Sequence, residues 1–286
     1  MELGEIIEKS FKLWFHNLKV GFLFFAGYLS ILVVMLIPFA VIWKVTNGNL
    51  LLAKEVLYNY PYVIVIFFGC LFISLFISLF FYFSGIRACV LTIDENLSLR
   101  EAMKYALRKY LSFLGAEILK YLILAVPTLI FLLFAFLFTA VSFSPSHTYP
   151  TLSDLNLPLM LLLFLIFSIV YLILLIFLVY IPYAVADGFG AIDSLKVSFK
   201  VTKNCFLNTI IILILIFAIS FLCSMVARLL TLPFIPLYFE LSNLSSNIVV
   251  FSKVLAVYLL AMSLLESFVL SPLRTLLLIL NMRNCL

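Results

Sequence analysis

The chain has 286 residues, 66% of them hydrophobic and only 11% charged, with a mean hydropathy of +1.29 and a formal net charge of +5. An ordinary globular domain is about 45–50% apolar and about 25% charged, so a soluble fold of this length has no interior large enough to hide the excess. Nine glycines and ten prolines exclude a fibrous repeat, and no polar tract marks a disordered chain; a polytopic membrane protein remains.

A bilayer crossing takes roughly 20 apolar residues, and charge-sparse runs predict six spans, at about 20–43, 62–86, 112–141, 159–184, 206–230 and 248–280. Before the first span stand Glu2, Glu5 and Glu8 with Lys9, Lys12 and Lys19. The apolar run behind them is too long for a signal-peptide core, so the first span reads as a retained anchor. Pro61 opens the second span, Pro127 lies well inside the third, and the polar stretch Ser142–Pro158 separates third from fourth. Pro182 and Asp187-Gly188 close the fourth, Pro233 and Pro236 follow the fifth, and Glu266 and Arg274 interrupt the sixth. Continuous apolar runs without period-two alternation favour helices over a barrel. The predicted fold class is all-α: six transmembrane helices in a single integral membrane domain over residues 1–286.

Of the 18 Lys and Arg, 13 fall on one side of these spans: Lys9, Lys12, Lys19, Arg87, Arg100, Lys104, Arg108, Lys109, Lys196, Lys200, Lys203, Arg274 and Arg283. Lys44, Lys54, Arg228 and Lys253 fall on the other, and Lys120 lies just inside the third span. The positive-inside rule places both termini in the cytoplasm. The net charge is then a topology signal, and no basic soluble module is present to suggest nucleic-acid binding. Trp43, Tyr58, Tyr60 and Tyr62 read as an outer aromatic belt, with Trp14 and Tyr110 at the inner interface. The five cysteines (Cys70, Cys89, Cys205, Cys223 and Cys285) form no close sequence pair and read as small apolar fillers rather than a disulfide framework. The absence of glutamine fits a thermophile.

A threefold repeat emerges from the approaches to the odd-numbered spans. Glu5 to Lys12 reads EIIEKSFK, Glu101 to Arg108 reads EAMKYALR, and Asp193 to Lys200 reads DSLKVSFK. Their shared columns are acid, any, large apolar, charged, any, small, large apolar, basic. Each is amphipathic: Glu5, Glu8, Lys9, Lys12, His16 and Lys19 share one helical face against Leu3, Ile7, Phe11, Trp14 and Leu18. In the second copy Ser98-Leu99-Arg100-Glu101 fits a capping box, with Lys104 and Arg108 following. In the third, Asp193, Lys196, Lys200 and Lys203 oppose Ile192, Leu195, Phe199 and Phe206. A charged face, a greasy face and an adjoining span predict elbow helices lying at the membrane interface. The even spans also end alike, in Ser84-Gly85-Ile86-Arg87, Ile181-Pro182-Tyr183-Ala184 and Ser271-Pro272-Leu273-Arg274. The predicted units, at about 1–92, 93–186 and 187–286, pack about a pseudo-threefold axis normal to the membrane.

The stretch Gly190 to Asn204, GAIDSLKVSFKVTKN, following Pro182 and Asp187-Gly188, resembles a signature of the membrane domain of bacterial glycerophosphodiester phosphodiesterases and related stand-alone six-helix membrane proteins. The resemblance implies a six-helix fold and a prokaryotic plasma-membrane location. It implies no catalysis, because the soluble hydrolase domain of that family has no counterpart in this chain.

An ionisable group within a span costs about 2.5–3.5 kcal/mol on insertion scales and is a functional candidate for that reason. Glu266 is the foremost, with Arg228 or a basic group from another repeat as its expected partner, and a plain packing contact as the simpler reading. Glu117 and Lys120, three apart, pair on one helix face. Arg87 and Arg274, repeat-equivalent, join Asp187 as candidates to line a cytoplasm-facing cavity for an anion or lipid headgroup, although snorkelling and end-capping account for them equally. His16 and His147 are too far apart in sequence to suggest a metal set, Gly188-Phe189-Gly190 lacks the pattern of a phosphate loop, and no cofactor is expected. Asn243-Leu244-Ser245 matches the glycosylation triplet. The expected partner is the bilayer, with anionic headgroups at its cytoplasmic face, and not nucleic acid. Prolines mostly near span ends and interiors of Leu, Ile and Phe favour a non-enzymatic membrane scaffold or accessory protein. A small permease or channel using Glu266 is the alternative, and a lipid-handling enzyme ranks last.

Overall fold

In lipid an apolar segment closes all of its backbone hydrogen bonds internally only as a helix, and helices are what this chain forms. The computed structural model describes residues 2–46, 60–142, 157–231 and 257–286, and among these described residues no strand occurs. The helices are α1 (Leu3–His16), α2 (Gly21–Val45), α3 (Pro61–Ile93), α4 (Leu99–Ser142), α5 (Leu157–Leu178), α6 (Ile181–Asp187), α7 (Ala191–Asn204), α8 (Phe206–Thr231) and α9 (Val257–Cys285). Six stretches are long and apolar enough to cross a bilayer: Leu18–Val45, Pro61–Ile93, Leu99–Phe136, Leu161–Asp187, Phe206–Leu230 and Val257–Cys285. The chain is thus a multi-pass membrane protein. Lys54, Tyr58, His147, Pro233, Pro236, Lys253 and the Asn243-Leu244-Ser245 triplet lie outside the described residues.

Two compact units divide the chain, Met1–Tyr110 with Ile211–Asn284, and Leu111–Ile210 with Cys285–Leu286. Within the first, α2 runs along α3, and Gly21 approaches α9. A Cβ on Gly85 of α3 would fall 2.7 Å from the Phe24 ring of α2, and one on Gly21 2.5 Å from the Phe268 ring of α9. Only glycine allows such approaches, the usual means by which membrane helices pack closely. Hydroxyls along these helices bond back to the preceding turn, as Ser84 does to Phe80 O (2.8 Å), Thr92 to Ala88 O (2.9 Å) and Thr275 to Ser271 O (2.6 Å). These hydroxyls are thereby satisfied without a partner helix. The last span is 61% buried, whereas the other five bury 6–28%; their outward Leu, Ile and Phe form a surface suited to lipid.

The first and third of the segments compared in sequence form separate helices, α1 and α7. Both α1 and α7 have 14 residues. Each follows one extended residue, Glu2 (ψ 158°) or Gly190 (ψ 170°), and each ends at an equivalent break, Asn17 (φ −125°, ψ 38°) or Cys205 (φ −128°, ψ 44°). The middle copy departs from this expectation. It opens α4 and runs straight into its span, because the equivalent position is Phe113, which stays helical and fully buried. In all three copies the residue after the acid (Ile6, Ala102, Ser194) and the small residue four further on (Ser10, Ala106, Ser198) are fully buried, while Phe11, Leu107 and Phe199 stay exposed. These segments therefore meet the protein through Ile6, Ser10 and their equivalents and leave Phe11, Leu107 and Phe199 more exposed.

One reading of the cysteines is overturned. Cys205 and Cys285 form a disulfide, with Cα atoms 6.1 Å apart across 80 residues of sequence, while Cys70, Cys89 and Cys223 are free. The break at Cys205 aims its thiol toward the chain's end, where Asn204 Nδ2 also donates to Cys285 O at 3.1 Å.

Candidate functional site

A proline inside a helix withdraws the N–H that would bond the carbonyl four residues back. In α9 Pro272 deprives Phe268 O of that donor. Trp14 Nε1 of α1 donates to this oxygen at 2.7 Å. In α5 and α6, Pro182 stands four residues beyond Leu178, where α5 ends. There Thr202 Oγ1 of α7 donates to Ile176 O (3.3 Å), and Ser198 Oγ donates to Phe177 O (2.6 Å) while accepting from Tyr180 N (3.2 Å). In α4, Tyr110 donates its hydroxyl to Phe76 O of α3 at 2.5 Å. Trp14, Tyr110 and Thr202 occupy one repeat column, each nine residues after the acid that opens its copy. Their positions read from sequence as interfacial aromatics or an undistinguished threonine; their hydrogen-bonding role lay two residues beyond the matched eight-residue block.

The π-turn Glu266–Leu270 in α9 arranges the principal candidate site. Two turns of α-helix take about 7.2 residues, so residues eight apart normally lie out of phase. A π-turn takes in one extra residue and brings Glu266 and Arg274 onto one face. Glu266 Oε1 accepts from Ser271 Oγ at 3.2 Å and lies 4.0 Å from Arg274 Nη2. Arg274 of its own helix is thus a partner of Glu266, one the sequence reading had not paired with it. The sequence reading missed this because it counted the helix as regular. Trp14 and Gly21 both meet the π-turn at Phe268, so α1 and the start of α2 brace the same widened turn that aligns the pair.

The remaining candidates separate into the two units. In the first, the Arg87 guanidinium lies 4.1 Å from the Tyr105 ring centroid, and Arg283 makes a two-pronged bond to Asp94 (2.6 and 3.3 Å). In the second, Lys120 pairs with Glu117, which is 8% exposed, and Asp187 ends α6 just before Gly188, whose φ of +124° turns the chain into α7. Arg87 lines a hollow with Glu101, Lys104, Tyr105 and Arg108, whereas Arg274 borders a gap among Ile216, Ile219, Leu270, Leu273 and Leu277 that leaves no room for water. Among the described residues, no group of three His, Cys, Asp or Glu is placed to hold a metal. Chemically, the α9 site holds one acid and one base in register within a span, each lessening the other's cost of burial.

Compared with protein-family models, with curated proteins and with solved structures, the chain matches none.

Proposed function

We propose that the chain is a non-enzymatic membrane scaffold or accessory protein of a prokaryotic plasma membrane, with both termini cytoplasmic and three repeated units of lead-in segment and helical hairpin. We further propose kinship with the membrane domain of glycerophosphodiester phosphodiesterases, on the strength of the Gly190 to Asn204 stretch. The single observation that carries the scaffold reading is the gap beside Arg274, too narrow for water: the basic member of the last span's acid–base pair borders Ile216, Ile219 and the leucines of α9. Support for the repeat is the donor column of Trp14, Tyr110 and Thr202, each bonded to a carbonyl of an even-numbered span. Its residues are spent on holding helices, as a scaffold requires.

The alternative is a small permease, favoured by the same Glu266–Arg274 pair on a π-turn, a feature frequent at functional sites. Flux of protons and of small anions into proteoliposomes discriminates the two. A scaffold gives wild-type flux equal to that of empty liposomes. Flux above that level, lowered by Glu266→Gln, would establish the permease instead.

A further inference from the structure

We propose that the basic hollow between α3 and the start of α4 binds the phosphate of an anionic phospholipid. The hollow encloses about 280 Å³ and is lined by Arg87 and Leu91 of α3 and by Glu101, Lys104, Tyr105 and Arg108 of α4. That volume is just below the range for small-molecule sites, about 300–1,000 Å³, which suits a headgroup rather than a whole lipid. The spacing of the α4 residues, at three- and four-residue steps, puts them on one helical face, with Arg87 across from them. Three cations therefore surround the space with a single carboxylate.

Geometry adds to the charge count. Arg87 is stacked on Tyr105, which fixes the plane of a guanidinium whose fork of N–H donors matches phosphate oxygens in pairs. Lys104 and Arg108 form no salt bridge among the described residues, so their charges are available to an anion. The larger hollow along α1, about 520 Å³, lacks this character, because Glu5, Glu8 and Glu95 offset Lys9 and Lys12 there. The source of the phosphate is the membrane rather than solution, since Leu107, set between Lys104 and Arg108 on α4, is 72% exposed, as apolar side chains are beside acyl chains. Basic residues at a headgroup boundary are the usual means of selecting anionic lipids. The site stands whether or not anything crosses the membrane.

The test titrates full-length protein in neutral detergent with dioctanoyl phosphatidylglycerol, dioctanoyl phosphatidylcholine or inorganic phosphate, and reads binding from the thermal unfolding midpoint by tryptophan fluorescence. Phosphatidylglycerol should protect at a concentration about tenfold lower than phosphatidylcholine. Lys104→Ala with Arg108→Ala, both exposed positions, should bring the two lipids to within about twofold of each other. Arg100→Ala, on the same helix but outside the hollow, should keep the preference. An undiminished preference in the double variant, or an equal loss in Arg100→Ala, would overturn the site in favour of diffuse surface charge. Protection by inorganic phosphate at the same concentration as phosphatidylglycerol would overturn the lipid assignment.

Discussion

Pro182 and Pro272 each lie inside a span, and the chain accommodates them in opposite ways. Around Pro182 the helix stops at Leu178, turns through Val179 and Tyr180, and restarts as α6, with Ser198 and Thr202 of α7 taking two of the freed carbonyls. Around Pro272 the helix never stops. It widens into a π-turn and leaves one carbonyl to Trp14. The surroundings differ in parallel, since Leu161–Asp187 is the most apolar span and 11% buried, whereas Val257–Cys285 is the least apolar and 61% buried. A helix facing lipid can carry few polar side chains, so its break is mended by small hydroxyls from one neighbour. A helix packed in protein can hold an acid and a base, and the widened turn is what aligns them. The comparison teaches that the charge in the last span depends on its burial and its π-turn together.

If that dependence is real, crowding the π-turn should be the most damaging change. Gly21→Leu would place side-chain atoms where the Phe268 ring and backbone already stand, at 2.5 and 3.0 Å from the first new carbon. A loss of about 1–3 kcal/mol is expected from such overpacking, read as a lowered unfolding midpoint in detergent. Gly69→Ala, with nothing within 4 Å of its added carbon, should instead be neutral or stabilise by up to about 1 kcal/mol through helix propensity. Equal behaviour of the two variants would break the claim that α2 braces α9.

A smaller effect sharpens the role of the proline. Trp14→Phe keeps the ring but removes the donor to Phe268 O, at a cost of about 1 kcal/mol. In a Pro272→Ala background that carbonyl regains a backbone N–H, so the same substitution should cost markedly less. The coupling read from this double-mutant cycle should be absent when Trp14→Phe is paired with Pro182→Ala. If Trp14→Phe costs the same in all three backgrounds, the indole acts by packing alone and Pro272 is not what it repairs.

Much of the fold was legible because lipid imposes simple demands: charge-free runs had to be helices, and the acid-to-basic columns marked the segments that lead into them. The parts that escaped depended on distance or on phase. Cys205 and Cys285 are 80 residues apart, and nothing in their flanking sequence says that the break after α7 turns one toward the other. Glu266 and Arg274 were both singled out, yet regular helix phase keeps residues eight apart from meeting, and only the π-turn restores the alignment. Pro272, noted merely as lying near a span end, was the visible trace of that irregularity. Phe113 shows the converse limit: the repeat predicted an elbow ahead of the third span, but at Phe113, where the counterparts Asn17 and Cys205 break, the chain stays helical.

The smallest effect separates charge from shape at the far end of the same helix. Asp94, in the turn after α3, accepts both Nη groups of Arg283 of α9. The Arg283 hydrogen bond holds its carboxyl below the usual carboxylate range, with partial burial opposing and the charges of Arg283 and Arg87 adding to the effect. Because the folded value lies below the unfolded one, near about 3.9, the stabilisation is fully present above that range. It is lost as pH falls through the lowered folded value. Both side chains are partly exposed, so water screening keeps the contribution below about 1 kcal/mol. Asp94→Asn should therefore lower the unfolding midpoint slightly at neutral pH, and the gap to wild type should close on acidification. Ser198→Ala offers the matching test at the other proline, where the bonds to Tyr180 and Phe177 involve no titrating group, so its gap to wild type should not depend on the charge state of any partner. A gap for Asp94→Asn that persists in acid would mean that the last helix is anchored at this end by shape, like the Pro182 span, and the contrast between a charged and an uncharged way of holding a broken helix would be confined to Glu266 and Arg274.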